Sequence, residues 1–541
     1  MSGGPTVVWF KRDLRTTDHA PLYAACETDA AGGAGVVCLF LVEPEMLTHP
    51  HAAVGQWRFI LPSLQDLDRR LRTLGGGLLV LTGDAVDRLR WLHARLGFTT
   101  LRSHEEVGHA VSFARDQRVR RWAREAGVRW IEDAQSGVVR GPHDRDRWAK
   151  HWNHVMTRPL VPEPARVPAL QAGVEGLEPG GLPTLETLRG LGLRGAEMPE
   201  AERWFPGGAA AGERMLHGFL HERGKRYRSE MSSPVTAWES SSRTSPYLAY
   251  GCLSVRQVYQ AYQARSRALK AVKKDAPDTE DGARVKADAT AWLQSMSSFA
   301  SRLRWHCHFI QKFEDEPDLE FQNMNRAFDG LRGDSPEQPL GELDPARFEA
   351  WRTGTTGYPL VDACMRSLEA TGWLNFRMRA MLASFSSYHL WQHWKAPADF
   401  LASRFLDYET GIHFSQFQMQ SGTTGINTVR IYSPIKQVSD QDPEGRFIRR
   451  WVPELVPLCD DPVARQQHLP NPATMPGALQ RRLGVRIGID YPAPVVDHAQ
   501  AYRAARSKMQ ARKSRKATRE ASAAVYIKHG SRKRPRRAGS G

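Results

Sequence analysis

Between residues 405 and 437 the chain reads FLDYETGIHFSQFQMQSGTTGINTVRIYSPIKQ. Asp407 and Glu409 lead into His413, then into Gln416, Gln418 and Gln420, then into a Gly-Thr-Thr-Gly loop. Two carboxylates, an imidazole and three amides set among Phe405, Phe414, Phe417 and Met419 imply buried polar atoms, and buried polar atoms need partners. A flat, heteroatom-rich ligand would supply them; a polar loop joining two helices is the plainer alternative.

Three more stretches carry chemistry. In SSSRTSPYLAYG, Ser240, Ser241, Ser242, Arg243, Thr244 and Ser245 precede a helix opened by Pro246. Hydroxyls and backbone N–H groups at a helix start, with one Arg, suit a phosphate or pyrophosphate; an ordinary N-cap would need no ligand. In FASRLRWHCHF (299–309), Arg302, Trp305, His306 and Phe309 share one side of a helix. Trp and Phe at that spacing fit a core at least as well as a ligand wall. His306 and His308 around Cys307 diverge on a helix, so no metal is expected there. In LNFRMRAMLASF (374–385), Arg377 and Arg379 interrupt an apolar helix, and burying either demands an anion. Asp407 or a ligand would serve Arg379, and Arg377 is expected to face solvent.

The elements that position these residues divide the chain in two. Apolar runs at 6–10, 36–43, 77–84, 99–107 and 128–135 alternate with amphipathic stretches, which predicts a doubly wound, Rossmann-like parallel sheet over 1–135. No GxGxxG follows the first strand, so a dinucleotide fingerprint is not read. A ligand would sit at the carboxyl ends of the strands, near Lys11, Arg12, Glu105 and Glu106. Repeated Pro and Gly predict a long linker over 136–210, wrapped over the surface. Residues 211–490 are helical in pattern and predict a large all-α domain.

At 541 residues the chain exceeds one core. It has no run of about 18 apolar residues and no signal-like start, so a cytoplasmic, membrane-free protein is expected, nucleoid-associated in a bacterial cell. Six scattered cysteines without CxxC pairs argue against disulfides and zinc, with an iron–sulfur cluster as the lesser alternative. The net charge is +16. From Arg506 onward there are 13 Lys or Arg and one Glu, 13 − 1 = +12, which leaves about +4 elsewhere. The segment 491–541 therefore reads as a basic, disordered tail that binds nucleic acid or an acidic partner.

Taken in order, VVWFKRDLRTTDHAPL, SSSRTSPYLAYGCLS, TGYPLVDACMRSLEATGW and DPEGRFIRRWVPEL resemble the cryptochrome/photolyase family across about residues 5–490. The resemblance implies an FAD folded into the helical domain and an antenna chromophore, a folate, deazaflavin or lumazine, in the α/β domain. It implies that Tyr227, Ser241, Ser242, Arg243, Thr244 and Ser245 hold the FAD phosphates. Arg379 and Asp407 would pair beside the flavin, and Glu409 would reach its ring or adenine side. His413 would face flavin N5 and could donate or accept a proton there. His306, Phe309, Asn375 and Tyr408 complete the expected FAD contacts. Trp305 matches the lesion-stacking Trp, but Arg302 stands where the family has Glu. Met419 replaces a second lesion-facing Trp, and Phe376 an Asn near the flavin. Of the usual three-tryptophan electron chain only Trp394 survives, Phe417 and Gly341 replacing the others. Trp391, Tyr388, Trp373 and Tyr408 are the alternative donors.

Two activities follow from the resemblance. One is light-driven repair of pyrimidine dimers in single- or double-stranded DNA by a monomeric photolyase, with Trp305, Arg302, His413 and Trp394 as the catalytic set. The other is a blue-light receptor that signals through its C-terminal segment.

Overall fold

The computed structural model describes residues 4–30, 33–170, 181–199 and 203–531. Five strands, β1 (Thr6–Phe10), β2 (Val36–Val42), β3 (Leu78–Thr82), β4 (Thr100–His104) and β5 (Arg129–Asp133), form one parallel sheet in the order β3-β2-β1-β4-β5. The centre of the sheet is apolar on both faces because helices cover both. Val7, aligned with Val37 and Leu101, lies on one face with Trp9, Leu39 and Leu89. On the other face Val8, Phe10, Cys38 and Phe40 merge with Trp238, Tyr247 and Phe299 of the helical half, so the two halves share a core.

Helix α1 (Val54–Thr73) lies between β2 and β3. The linker is held at several points along its length: Val167 N–H donates to Leu74 O at 2.7 Å, and Val54 N–H to Arg194 O at 3.1 Å. Met198, 1% exposed, fills the space beside Gly55 and Gly372, where a Cβ on either glycine would collide with its thioether.

The helical half is built on α2 (Ser245–Ala249), α3 (Val255–Asp275), α4 (Glu280–Asp315), α5 (Phe376–Ser384) and α6 (Thr410–Ser421). The first half of α4 is largely solvated, whereas its last turns, Cys307 to Phe313, are buried against α6.

The C-terminal segment departs from expectation. Rather than a disordered tail, residues 498–529 form α7 (His498–Lys513) and α8 (Lys516–His529). Ala505 and Met509 pack with Phe328 and Tyr388. Ser522 accepts from Asn325 Nδ2 at 2.9 Å, and Lys528 and His529 both bind Glu316. The basic run after residue 531 lies outside the described residues. No helix among the described residues is long and apolar enough to cross a membrane.

Candidate functional site

The serine loop runs from the short helix Ala237–Ser240 to α2. Arg243 sits at φ 56°, a left-handed conformation that costs a non-glycine residue about 1–3 kcal/mol and persists only where its surroundings enforce it. The Arg223 guanidinium donates to the carbonyls of Ser241 and Ser242, and the hydroxyls of Ser242 and Thr244 lie 3.0 Å apart. The Arg243 guanidinium lies over Trp238 at 4.8 Å, and its buried Nε has no partner. Burial and the neighbouring Arg243 charge push Arg223 down to about 10. A buried guanidinium depressed by a second one beside it is a place for an anion. Helix α2 has only five residues, so the guanidinium pair and the hydroxyls, rather than a helix dipole, recommend the loop for a phosphate.

Around the 405–413 stretch, Arg379 meets Asp407 in a two-pronged pair, Nη1 to Oδ1 and Nη2 to Oδ2, both 2.9 Å, while its Nε–H donates to Leu374 O at 2.8 Å. Asn375 donates to the carbonyls of Met231 and Ser232, which leaves its buried Oδ1 without a partner. Gln416 Oε1 is in the same condition. Arg377, expected to face solvent, is half-buried, with an unpartnered Nε.

The His413 ring lies within 5.0–6.0 Å of Phe405, Tyr408, Phe414 and Phe417. Its Nε2 lies 2.8 Å from Ala398 O, so Nε2 carries the hydrogen and Nδ1 keeps the lone pair. Burial pushes the imidazolium pKa down to about 3. His413 is thus a neutral acceptor, not the proton donor that its type also allowed.

A cavity joins the carboxyl ends of the strands to the helical half, lined by Lys11, Arg12, Glu106, His306, Ile310 and Glu409. Strand-end residues foreseen from the sequence thus share a wall with two of the expected FAD contacts. Glu409 faces Arg12 at 3.7 Å, and burial raises its carboxyl pKa. Burial also lowers His306 to about 4. Phe309 is buried on the next turn of α4. Arg12 was not foreseen as a tie between the halves, yet it donates to Ala249 O (2.8 Å) and Tyr408 O (2.6 Å). A second cavity, at the carboxyl ends of β1 and β2, is lined by Trp9, Glu43, His49, His51, His109 and Tyr408. It lies where a parallel sheet takes a ligand.

Trp305 (42% exposed) and Phe376 (44% exposed) flank Arg302, whose guanidinium lies 4.3 and 5.5 Å from their rings. Arg302 also neighbours the Tyr227 phenol, whose pKa burial raises. Trp394 is fully buried and donates to Asn323 Oδ1 at 2.8 Å. Among the described residues two clusters have metal-ligand chemistry, Asp13/His19/His104 and His49/His51/Glu320. In the first, both histidines already bond the Asp13 carboxylate, at 2.9 and 2.7 Å. In the second, both His51 ring nitrogens are engaged by Tyr408 and Asp399.

The residues fit FAD on the structure's own terms. A guanidinium pair awaits an anion, and the unpartnered Arg243 Nε, Asn375 Oδ1 and Gln416 Oε1 await heteroatoms. Comparison with known proteins bears on the same point. Residues 299–511 match the FAD binding domain of DNA photolyase, and residues 6–145 match the DNA photolyase family. A cryptochrome DASH of Gloeobacter violaceus is 32% identical over 520 residues, covering 92% of this chain and 94% of that protein. A deoxyribodipyrimidine photo-lyase of Halobacterium salinarum is 30% identical over 513 residues, covering 91% and 96%. Among solved structures, a Synechocystis cryptochrome shares the fold at a TM-score of 0.74 and 24% identity, covering 94% of this chain and all (100%) of that one.

Proposed function

The chain belongs to the cryptochrome/photolyase family, with FAD as the cofactor of its helical half, and on that premise we propose that it is a light-dependent DNA repair enzyme splitting UV-induced pyrimidine dimers. Bound FAD supplies the light-driven electron. The chain's own residues bind, orient and exclude water. Arg243 and the hydroxyls of Ser242 and Thr244 hold the phosphates; Arg379, fixed by Asp407, and Glu409 orient the ring system. His413 keeps a neutral, hydrogen-accepting nitrogen among four aromatic rings, so no proton is delivered from that side.

The observation that carries repair is the exposed pair Trp305 and Phe376 with Arg302 between them. Two aromatic faces in water around a cation make a stacking platform for unpaired bases, about 1–3 kcal/mol per base, with a guanidinium for the phosphates between them. A dimer flipped from the duplex or carried on a single strand exposes such faces.

Arg302 also favours the second reading, a blue-light receptor. The family resemblance expects a carboxylate at that position to hydrogen-bond the dimer, and a guanidinium cannot accept that bond. The deciding experiment illuminates the dithionite-reduced protein with dimer-containing single- and double-stranded DNA and counts restored pyrimidines. Splitting on either strand form supports repair. No splitting on either, with flavin and dark DNA binding retained, transfers the assignment to the receptor.

A further inference from the structure

The Tyr408 phenol, 6% exposed, lies between the two halves of the molecule. Its oxygen is 2.9 Å from His51 Nδ1, and His51 Nε2 is 3.0 Å from Asp399 Oδ1. The carboxylate accepts from Nε2–H, and with the hydrogen there Nδ1 of the neutral ring is placed to accept from the phenol. Lys395 Nζ binds the same Oδ1 of Asp399. Burial pushes the Asp399 carboxyl up, but His51 and Lys395 outweigh it and keep it below its ordinary value. The result is a buried phenol, an imidazole and a charged carboxylate in one chain of hydrogen bonds, reached across 357 residues of sequence. Tyr408 is also the residue between Asp407 and Glu409.

We propose that Tyr408 is the one-electron donor to the light-excited flavin, with His51 as its proton acceptor and Asp399 as the anchor of the resulting imidazolium. The inference rests on the flavin reading above. In the step, the phenol gives one electron to the oxidised, excited flavin while its O–H bond breaks and an N–H bond forms at His51 Nδ1. The flavin gains that electron. An external thiolate then returns an electron to the tyrosyl oxygen, and His51 returns the proton.

The other candidates lack what this step needs. A tyrosine must lose its proton as it loses its electron, and the buried Tyr388 hydroxyl has no partner, with Arg332 lying 5.7 Å from its ring. A tryptophan becomes a cation on oxidation, and Trp391 lies between Arg332 at 4.9 Å and Lys508 at 4.5 Å, which oppose that charge. Trp373 packs on Trp238, whose ring faces Arg203 and Arg243. Trp394 donates to a neutral amide that cannot take a proton. Phe417 has no accessible oxidation, and its presence removes the tryptophan that the family resemblance expects.

The test uses flavin-loaded protein grown with ring-deuterated tyrosine, illuminated in the presence of dithiothreitol, and read by electron paramagnetic resonance and flavin absorbance. A tyrosyl signal that narrows on deuteration is expected. Tyr408→Phe should abolish it and slow flavin photoreduction about 100-fold, the lower end of what a positioned proton acceptor contributes. His51→Ala should do the same, with partial rescue by added imidazole. An unchanged signal in Tyr408→Phe, or one lost instead in Trp391→Phe, overturns the proposal. Should Tyr408→Phe fail to hold flavin, the native protein decides: photoreduction slows in D2O for a phenol that hands its proton to His51, and an equal rate in H2O and D2O overturns it. Protein that binds no flavin sinks the functional reading itself, a separate outcome.

Discussion

Arg379 grips Asp407 through two parallel hydrogen bonds of 2.9 Å, while its third donor is spent on Leu374 O. The guanidinium is therefore fixed in plane and direction. A lysine would keep the charge but lose the fork.

Arg379→Lys should weaken FAD binding by about 10- to 100-fold, and Asp407→Asn by at least as much, since it leaves a mostly buried guanidinium without its counter-ion. Titration of apoprotein with FAD, followed by flavin fluorescence, checks this. Equal affinity in Arg379→Lys would mean the fork plays no part in holding the ring.

Acid should destabilise the flavin-loaded protein well before its carboxylates titrate. Burial holds His49 and His306 near about 4 and His109 and His413 near about 3, below the ordinary histidine value of 6.5. Between those folded values and 6.5 the unfolded chain binds protons that the folded chain does not. Stability therefore rises with pH across that window and is lost as pH falls from about 6.5 toward 4, by up to about 1.4 kcal/mol per pH unit per fully buried group. Thermal melts at steps from pH 7 to pH 4.5 measure the slope, and His413→Asn should flatten it. A melting temperature constant over that range contradicts the neutral assignment.

Trp305→Ala should weaken binding of dimer-containing single-stranded DNA by about 1–3 kcal/mol, the worth of one base–aromatic stack. Arg302→Glu tests the other half of the platform: restoring a carboxylate should raise dimer splitting per photon while weakening binding to undamaged strands. Fluorescence anisotropy and a splitting assay separate the two effects. Lower splitting together with lower affinity in Arg302→Glu would show that the cation serves repair.

Arg515, Lys516 and Arg519 stand exposed at the start of α8. Replacing all three by Gln should leave the melting temperature within a degree or two and lower the slope of log affinity against log salt by up to about 2.7, at about 0.9 for each phosphate no longer neutralised. An unchanged slope would place the DNA elsewhere on the surface.

Much of this molecule can be read from its sequence where the signal is local. The strands are short apolar runs between helical stretches, and all five lie where alternation places them. Asp407 and Arg379 are legible because charges in apolar helices must find one another. The tail reads wrongly because its composition is basic and polar, whereas its order comes from a few distant anchors, Met509 on Tyr388 and His529 on Glu316. His51 cannot be assigned from sequence at all. A His-Pro-His loop gives no hint that one imidazole reaches a phenol in the other half, and sequence spacing carries no information about such pairings.

Arg12 has a further implication. Its guanidinium is bonded to the carbonyls of Ala249 and Tyr408, two separate segments of the helical half, and Gln56 adds bonds to the carbonyls of Ala402 and Phe405. The amino-terminal half is accordingly no interchangeable light collector. Exchanging it for that of a distant relative would strip the flavin loop of its buttress, so any chimera has to import the matching guanidinium along with the sheet.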